Sequence, residues 1–311
     1  MKIGVVGASG LVGRTIVRIL EEQKIPVSEL KLFATSQSAG SEIYFHKQPC
    51  VISELTGLSL QQSFDYVFFS AGSKCSLEYA PLALANSSIV IDNSPAFREG
   101  DCYPLVIPEI NKKRLQGYSG IIANPNCAVN QLLKAVKPIQ AVYDVEQLVV
   151  TTFQSRSGVG QKGLSGTSIF SKPIEENLIP FIGSILSNNF SEEENKIIQE
   201  SRKILSLPDL PVFPTTVRVP VRIGHSESVF LQTNRDFEIT DILNLLNSQP
   251  SLTMETETFT PRDTEGSNQT YVSRVRKAGP CRLMMWVMAD NIRVGAAANA
   301  VNIMMAHREV N

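Results

Sequence analysis

Lys2-Ile3-Gly4-Val5-Val6-Gly7-Ala8-Ser9-Gly10-Leu11-Val12-Gly13 runs directly into Thr15-Ile16-Val17-Arg18-Ile19-Leu20-Glu21-Glu22. The first residues form a short β-branched run, the glycines mark a tight turn, and the apolar spacing after Thr15 is helical. Strand, glycine turn and helix in this order let backbone N–H groups and the helix N-terminus face a pyrophosphate. Gly7 and Gly10 allow close approach, and Gly13 allows close packing of the helix. The glycine spacing alone is a weak pattern, and its place between a strand and a helix gives it weight. A dinucleotide site is the expectation, with a bare structural turn as the alternative.

Working outward, residues 30–34, 66–70 and 88–91 read as buried strands, with a helix over 77–85. This alternation predicts an α/β fold opening on a Rossmann-type, doubly wound parallel sheet. After Thr35, the stretch Ser36-Gln37-Ser38-Ala39-Gly40 offers no carboxylate to a ribose hydroxyl, which favours NADP over NAD; the other reading is a solvated loop. Beyond residue 127 the texture changes. Residues 147–153 and 217–221 are β-rich, 228–233 alternates, and a long charged helix fits 191–205. A second, α+β domain on a mixed or antiparallel sheet follows. The small-residue helix over 291–307 is expected to return to the first domain, giving 1–127 with 291–311 and 128–290 as the two domains. Residues 208–214 and 250–273 read as loops.

Composition sets bounds. At 311 residues, with 43% hydrophobic and 19% charged, the chain has the make-up of a soluble protein with two cores. A net charge of −1 provides no basic field to collect nucleic acid or anionic lipid. The five cysteines contain no Cys-x-x-Cys pair, so no metal site or redox dithiol is expected. No apolar run approaches the roughly 18 residues that span a bilayer. Met1 opens straight into the first strand, which reads as a cytoplasmic protein.

Asn124-Pro125-Asn126-Cys127-Ala128-Val129-Asn130-Gln131 puts a cysteine at a turn just before an apolar helix over 132–139. There the helix dipole lowers a thiol pKa. From the residues alone, a reactive thiol and a buried structural one stay equally open.

With Asn-Pro-Asn-Cys at 124–127, the chain resembles the aspartate-semialdehyde dehydrogenase family. Further resemblances fall in family order at 92–98, 106–111, Phe153-Gln154, Ser157-Gly158-Val159-Gly160 and 217–226, and they cover most of the chain. The resemblance implies NADPH-dependent, reversible reduction of aspartyl phosphate to aspartate semialdehyde and phosphate, a step of amino-acid biosynthesis. It implies that Cys127 is the nucleophile, His225 its acid/base partner and Gln154 the group orienting the thioester carbonyl. Arg218 would clamp the substrate carboxylate, Arg98 and Lys196 the phosphate, and Glu193 the ammonium, with Asn126 also at the substrate. For the cofactor it implies Gly7, Ser9, Gly10, Leu11, Val12 and Gly13, then Thr35, Ser36, Gln37 and Ser38. Ser70, Ala71 and Gly72, and Ser157, Gly158 and Asn291, complete that set. The second domain would catalyse and dimerise, giving a homodimer or homotetramer.

Arg218 and His225 are seven positions apart, which puts them on opposite faces of an unbroken strand; a shared pocket requires a bend at Pro220 or Gly224. Glu193 and Lys196 share a helix face, a spacing that also fits a solvated ion pair. The chain departs from the family at Ala128 and Val129, at Gln37 where arginine is frequent, and at Ser155-Arg156 in place of small or apolar residues. Arg156 would meet either cofactor phosphate or a subunit boundary. One alternative function is an N-acetyl-glutamyl-phosphate reductase-like reaction, against which 124–127 argues. The other is a non-catalytic binding paralogue, against which the joint retention of Cys127, Gln154, Arg218 and His225 argues.

Overall fold

The computed structural model describes residues 1–166 and 169–311. The chain divides into two compact units, Met1–Pro125 with Ala296–Asn311, and Asn126–Gly295.

The first unit is built on seven strands: β1 (Lys2–Val6), β2 (Glu29–Ala34), β3 (Glu42–Phe45), β4 (Gln48–Glu54), β5 (Tyr66–Phe69), β6 (Ile89–Asp92) and β7 (Ile121–Ala123). Their order is β3-β4-β2-β1-β5-β6-β7, all parallel except the β3–β4 hairpin. β1 lies between β2 and β5, so the chain leaves it first to one side and later to the other. The end of β1 is therefore a topological switch point, where doubly wound sheets bind ligands. Ile3, Val5 and Val6 are fully buried, as expected for a sheet covered on both faces.

Helices α1 (Leu11–Glu22), α2 (Ser73–Ala85) and α3 (Pro108–Asn111) belong to this unit. So does the C-terminal helix. A Cβ on Gly13 would run into the carbonyl of Gly7, so glycine there lets α1 rest on its own turn. The β3–β4 hairpin lies outside the sequence reading: only Ile43, Phe45 and Ile52 of its two strands are buried, so it shows no continuous buried run.

The second unit holds β8 (Val145–Gln154), β9 (Val212–Arg218), β10 (His225–Thr233), β11 (Leu252–Met254), β12 (Thr270–Lys277) and β13 (Arg282–Ala289). In the order β11-β12-β13-β10-β8-β9, the β11–β12 and β8–β9 pairs are parallel and the others antiparallel. The expected mixed sheet is present. Helices α4 (Cys127–Tyr143), α5 (Gln161–Leu164), α6 (Glu192–Leu205) and α7 (Ile239–Asn247) accompany it, and α4 packs on α6, α7 and the sheet. Ser191 caps α6 by a capping box with Glu194. α8 (Ala298–Val310) then closes the first unit's core with Ala300, Val301, Ile303 and Met304.

Three stretches differ from the sequence reading. The strand expected at 217–221 ends at Arg218, since Pro220 has no N–H for a ladder and Gly224 takes φ +94. Residues 208–214 are not all loop: β9 starts at Val212, and Pro214 is tolerated because β9 is an edge strand. Within 250–273 lie β11 and the start of β12. Cys127 and Asn291, put with the first domain by the sequence reading, lie in the second unit, because α4 starts at Cys127 and packs on the second sheet.

Candidate active site

Three neighbouring strands end or begin at one edge of the second sheet. Gln154 closes β8, Arg218 closes the parallel β9 directly opposite it, and His225 opens the antiparallel β10 on the other side. Residues 219–224 form an irregular link pinned to the segment after β8, where the Arg156 and Ser157 N–H groups donate to the Val221 and Arg222 carbonyls. The bend does bring Arg218 and His225 together: a Cβ on Gly158 would meet Arg218 Nη1 at 2.6 Å and His225 Cε1 at 3.3 Å.

The cysteine arrives on the first turn of α4. Asn126 is the N-cap, and its Oδ1 accepts from the Ala128 and Val129 N–H groups at 2.9 and 3.4 Å. Cys127 therefore sits at the positive end of a 17-residue helix, a place that favours thiolate. Its Sγ lies 3.3 Å from His225 Nε2.

α6 supplies the carboxylates. Glu193 Oε1 accepts from Asn126 Nδ2 at 2.8 Å and Gln154 Nε2 at 3.1 Å, and its Oε2 accepts from Lys196 Nζ at 3.2 Å. The Glu193–Lys196 pair is thus not a solvated surface pair, since Glu193 is 7% exposed. Burial pushes the Glu193 carboxyl up, but Lys196 and the two amides outweigh it and hold it below its ordinary value. Arg218 Nη1 donates to the Ser155 carbonyl at 2.6 Å. Burial lowers the pKa of its guanidinium, against the pull of Glu193. Burial, reinforced by Arg218, pushes His225 down to about 3, so the ring is neutral at physiological pH. A thiol on a helix N-terminus, a neutral imidazole, an arginine and a buried carboxylate can together form and release a thioester on an anionic substrate.

The first unit holds a cleft of about 490 Å³ lined by Gly7, Ser9, Gly10, Thr35, Ser70 and Ala71 from the predicted cofactor set. Leu11, Val12, Gly13, Gly72, Ser36, Gln37 and Ser38 are not among its lining residues. Lys74, Glu78 and Tyr79 of α2 are, and no motif in the sequence pointed to them. The residues fit a dinucleotide: neither α1 nor α2 has a side-chain cap or an acidic residue in its first turn, so both present N–H groups to an anion. Arg98 also belongs to this unit, donating from Nη2 to the Asn93 carbonyl at 2.8 Å. Ser157 and Asn291 lie in the second unit, where Ser157 Oγ donates to Asn291 Oδ1 at 2.9 Å.

Residues 2–118 match the model for the semialdehyde dehydrogenase NAD binding domain, and 136–294 that for the semialdehyde dehydrogenase dimerisation domain. The chain is 34% identical to the aspartate-semialdehyde dehydrogenase of Bacillus subtilis over 100% of its own length and 98% of that protein's. With the enzyme of that name from Shewanella violacea the identity is 37%, over 96% and 95%. The crystal structure of aspartate semialdehyde dehydrogenase II from Vibrio cholerae, complexed with ASA, superposes with a TM-score of 0.96 at 34% identity, covering 99% of this chain and 98% of that one. The chain belongs to the aspartate-semialdehyde dehydrogenase family.

Family membership matches the resemblance carried by residues 124–127. The site of this aspartate-semialdehyde dehydrogenase family member also contains residues that sequence reading missed. Glu200, two helical turns from Glu193 on the same face of α6, accepts the Asn126 N–H at 2.6 Å. A glutamate in register with the buried Ile197, Ser201 and Ile204 was the available signal. Arg156 is held by its own loop, with Nε donating to the Gly163 carbonyl at 2.9 Å and Nη1 3.6 Å from Glu175.

Glu227, two residues after His225, is 0% exposed, and among the described residues neither carboxyl oxygen has a well-formed hydrogen bond. Burial raises its pKa well above the ordinary value, and the neighbouring Gln131 amide offsets this only in part. Between the ordinary glutamate value of about 4.3 and the raised folded value, the folded protein keeps a proton that the unfolded chain has lost. Stability therefore falls as pH rises through that window, by up to about 1.4 kcal/mol per pH unit. Glu227→Gln keeps the volume and a donor but cannot titrate. Its urea-unfolding midpoint should change less with pH above about 4.3 than that of the unaltered protein. Parallel curves would show that Glu227 is ionised in the fold.

Proposed function

We propose that this chain catalyses the NADP-dependent, phosphate-linked interconversion of aspartate semialdehyde and aspartyl phosphate. The observation that carries this reading is the Cys127 Sγ–His225 Nε2 approach of 3.3 Å, set among Gln154, Glu193 and Arg218. Cys127 displaces phosphate from the acyl phosphate, forming a thioester and releasing inorganic phosphate. Gln154 orients the thioester carbonyl. When bound, the dinucleotide supplies the hydride that reduces the thioester. The Cys127 thiolate then leaves as the aldehyde forms, and His225 Nε2 handles the proton at the sulfur and the reacting oxygen.

Arg218 provides the planar fork that a carboxylate takes, and Glu193 the negative charge for the ammonium. Lys196 and Arg98 are the proposed phosphate partners. Asn126 acts through the first turn of α4 and through Glu193: its Oδ1 accepts from the Ala128 and Val129 N–H groups and its Nδ2 donates to Glu193 Oε1. The first unit is the proposed dinucleotide domain, with Ser157, Gly158 and Asn291 of the second unit proposed to contact the cofactor as well. NADP is the proposed form because no carboxylate follows β2, and Lys74 in the cleft offers a cation where Gln37 does not. The half-buried face of the second sheet carries Phe153 against Trp286, ring centroids 5.4 Å apart, and is the proposed homodimer surface. No helix of the described residues is long and apolar enough to cross a membrane, and a cytoplasmic location is proposed.

The test is purified protein with aspartate semialdehyde, phosphate and either NADP or NAD, followed by absorbance of the reduced dinucleotide, with light scattering on the same preparation. Phosphate-dependent reduction that is faster with NADP, by a dimer, is the expected result. Absence of reduction with both cofactors would sink the proposal.

A further inference from the structure

Every polar group of Asn126, the N-cap residue immediately before Cys127, is engaged. Its carbonyl accepts the Asn130 N–H at 3.0 Å and its Oδ1 accepts the Ala128 and Val129 N–H groups, all within α4. The remaining bonds leave the helix and both end on α6. Nδ2 donates to Glu193 Oε1 at 2.8 Å, and the backbone N–H donates to Glu200 Oε2 at 2.6 Å. In a capping box the side chain three residues past the cap takes that backbone N–H, as Ser59 does for Thr56 in this chain. Three residues past Asn126 stands Val129, which has no acceptor to offer. Pro125, immediately before the cap, has no N–H to share in holding the turn. Asn126 is 6% exposed and Glu200 3%, so solvent does not stand in for the bond between them.

We propose that Glu200 is a positioning residue: reaching across from α6, it completes the capping box that Val129 cannot, and so fixes the first turn of α4 and the place of Cys127 Sγ beside His225. The proposal rests on Cys127 being the reactive thiol, as in the function proposed above, and not on which acyl phosphate it attacks. Glu193 and Glu200 divide the task. Glu193 spreads its oxygens over Asn126, Gln154 and Lys196 and is the proposed partner of the substrate ammonium, so its hold on the turn is shared with substrate. Glu200 holds the backbone itself, one peptide unit from the nucleophile. What this bond requires of residue 200 is an acceptor at the reach of a glutamate, not a negative charge. A carboxamide oxygen meets that requirement, and an aspartate, one methylene shorter, does not. Without the acceptor a buried N–H is left unpaired, and the turn moves to find a partner. A shift near 1 Å at a nucleophile costs about 100-fold in rate.

The test compares Glu200→Gln, Glu200→Asp and Glu200→Ala with the unaltered full-length protein at neutral pH. Two readouts are taken: steady-state kcat and KM for aspartate semialdehyde, and the rate at which iodoacetamide alkylates the Cys127 peptide without substrate or dinucleotide, followed by mass spectrometry. Glu200→Gln should stay within about threefold of the unaltered protein in both. Glu200→Ala and Glu200→Asp should lose about tenfold or more in kcat and in alkylation. KM should change by less than about threefold, because Glu193 and Arg218 are untouched. Should Glu200→Ala fail to fold, the comparison of Glu200→Gln with Glu200→Asp decides. Glu200→Gln as impaired as either of the other variants would overturn the proposal, and so would equal rates in all four proteins. Alkylation that falls in Glu200→Asp and is kept in Glu200→Gln, in a protein that turns over no aspartate semialdehyde, would leave the anchor standing and remove the proposed function. Equal alkylation and kcat across the series in an active enzyme would do the reverse.

Discussion

Cys127→Ala is expected to lower phosphate-dependent dinucleotide reduction by at least about 10⁴-fold while the fold is retained. The size follows from chemistry: without Sγ no thioester forms, and hydride cannot leave a free aldehyde hydrate by the same route. Neighbouring hydroxyls do not substitute, because Ser155 and Ser157 are engaged with His225 and Asn291. Retention of the fold follows from position. Alanine is a good helix former on the first turn of α4, the Asn126 cap does not use the sulfur, and Cβ is kept. The change in unfolding free energy should stay within about 1 kcal/mol. Steady-state rates and a denaturant melt check both halves. Activity within tenfold of the unaltered protein would remove Cys127 from the mechanism, whereas a collapsed melt would show that the thiol is structural.

Gly295→Ala is expected to cut kcat by about 100-fold or more while leaving every reacting atom chemically unaltered. Gly295 lies in the π-helical turn Arg293–Ala297, and a Cβ there would collide with Cys127 Cβ and come within 2.7 Å of its Cα and 3.1 Å of its carbonyl oxygen. These are backbone and Cβ atoms that cannot swing aside, so the first turn of α4 must shift, and Sγ with it. A displacement near 1 Å at a nucleophile costs about 100-fold in rate, and overpacking adds about 1–3 kcal/mol of instability. The signature is a fall in kcat and in Cys127 alkylation with a smaller change in KM. A variant with kcat within twofold of the unaltered protein would show that the turn moves away from Cys127 instead.

How far the site could be read in advance differs residue by residue. Cys127 was legible because a cap residue, a cysteine and an apolar helix are contiguous, and a helix N-terminus acts locally. The nucleotide turn was legible for the same reason, since strand, glycines and helix occupy one short segment. Arg218 and His225 were legible as candidates but not as neighbours. Their meeting depends on β9 stopping at Arg218 and on β8 lying between the two strands. Glu200 is signalled only by its register with the buried face of α6, and nothing in the local sequence marks Glu227 as buried. Ser155 stood out only as a departure from the expected small or apolar residue, with no hint of its contact to Nδ1.

The β3–β4 hairpin, β9 and β11 are missed or misplaced for a related reason. Edge and short strands carry polar residues and prolines, and their pairing is set by partners far along the chain. Sequence by itself determined the α/β class and the order of strand, turn and helix at the glycine turn, and it marked Cys127 as a candidate, because each is written in contiguous spacing. Tertiary structure decided that Arg218 and His225 meet beside Cys127, that Glu227 is fully buried and how closely Gly295 meets Cys127. These depend on burial and on distances between residues tens to hundreds of positions apart, which no local pattern encodes.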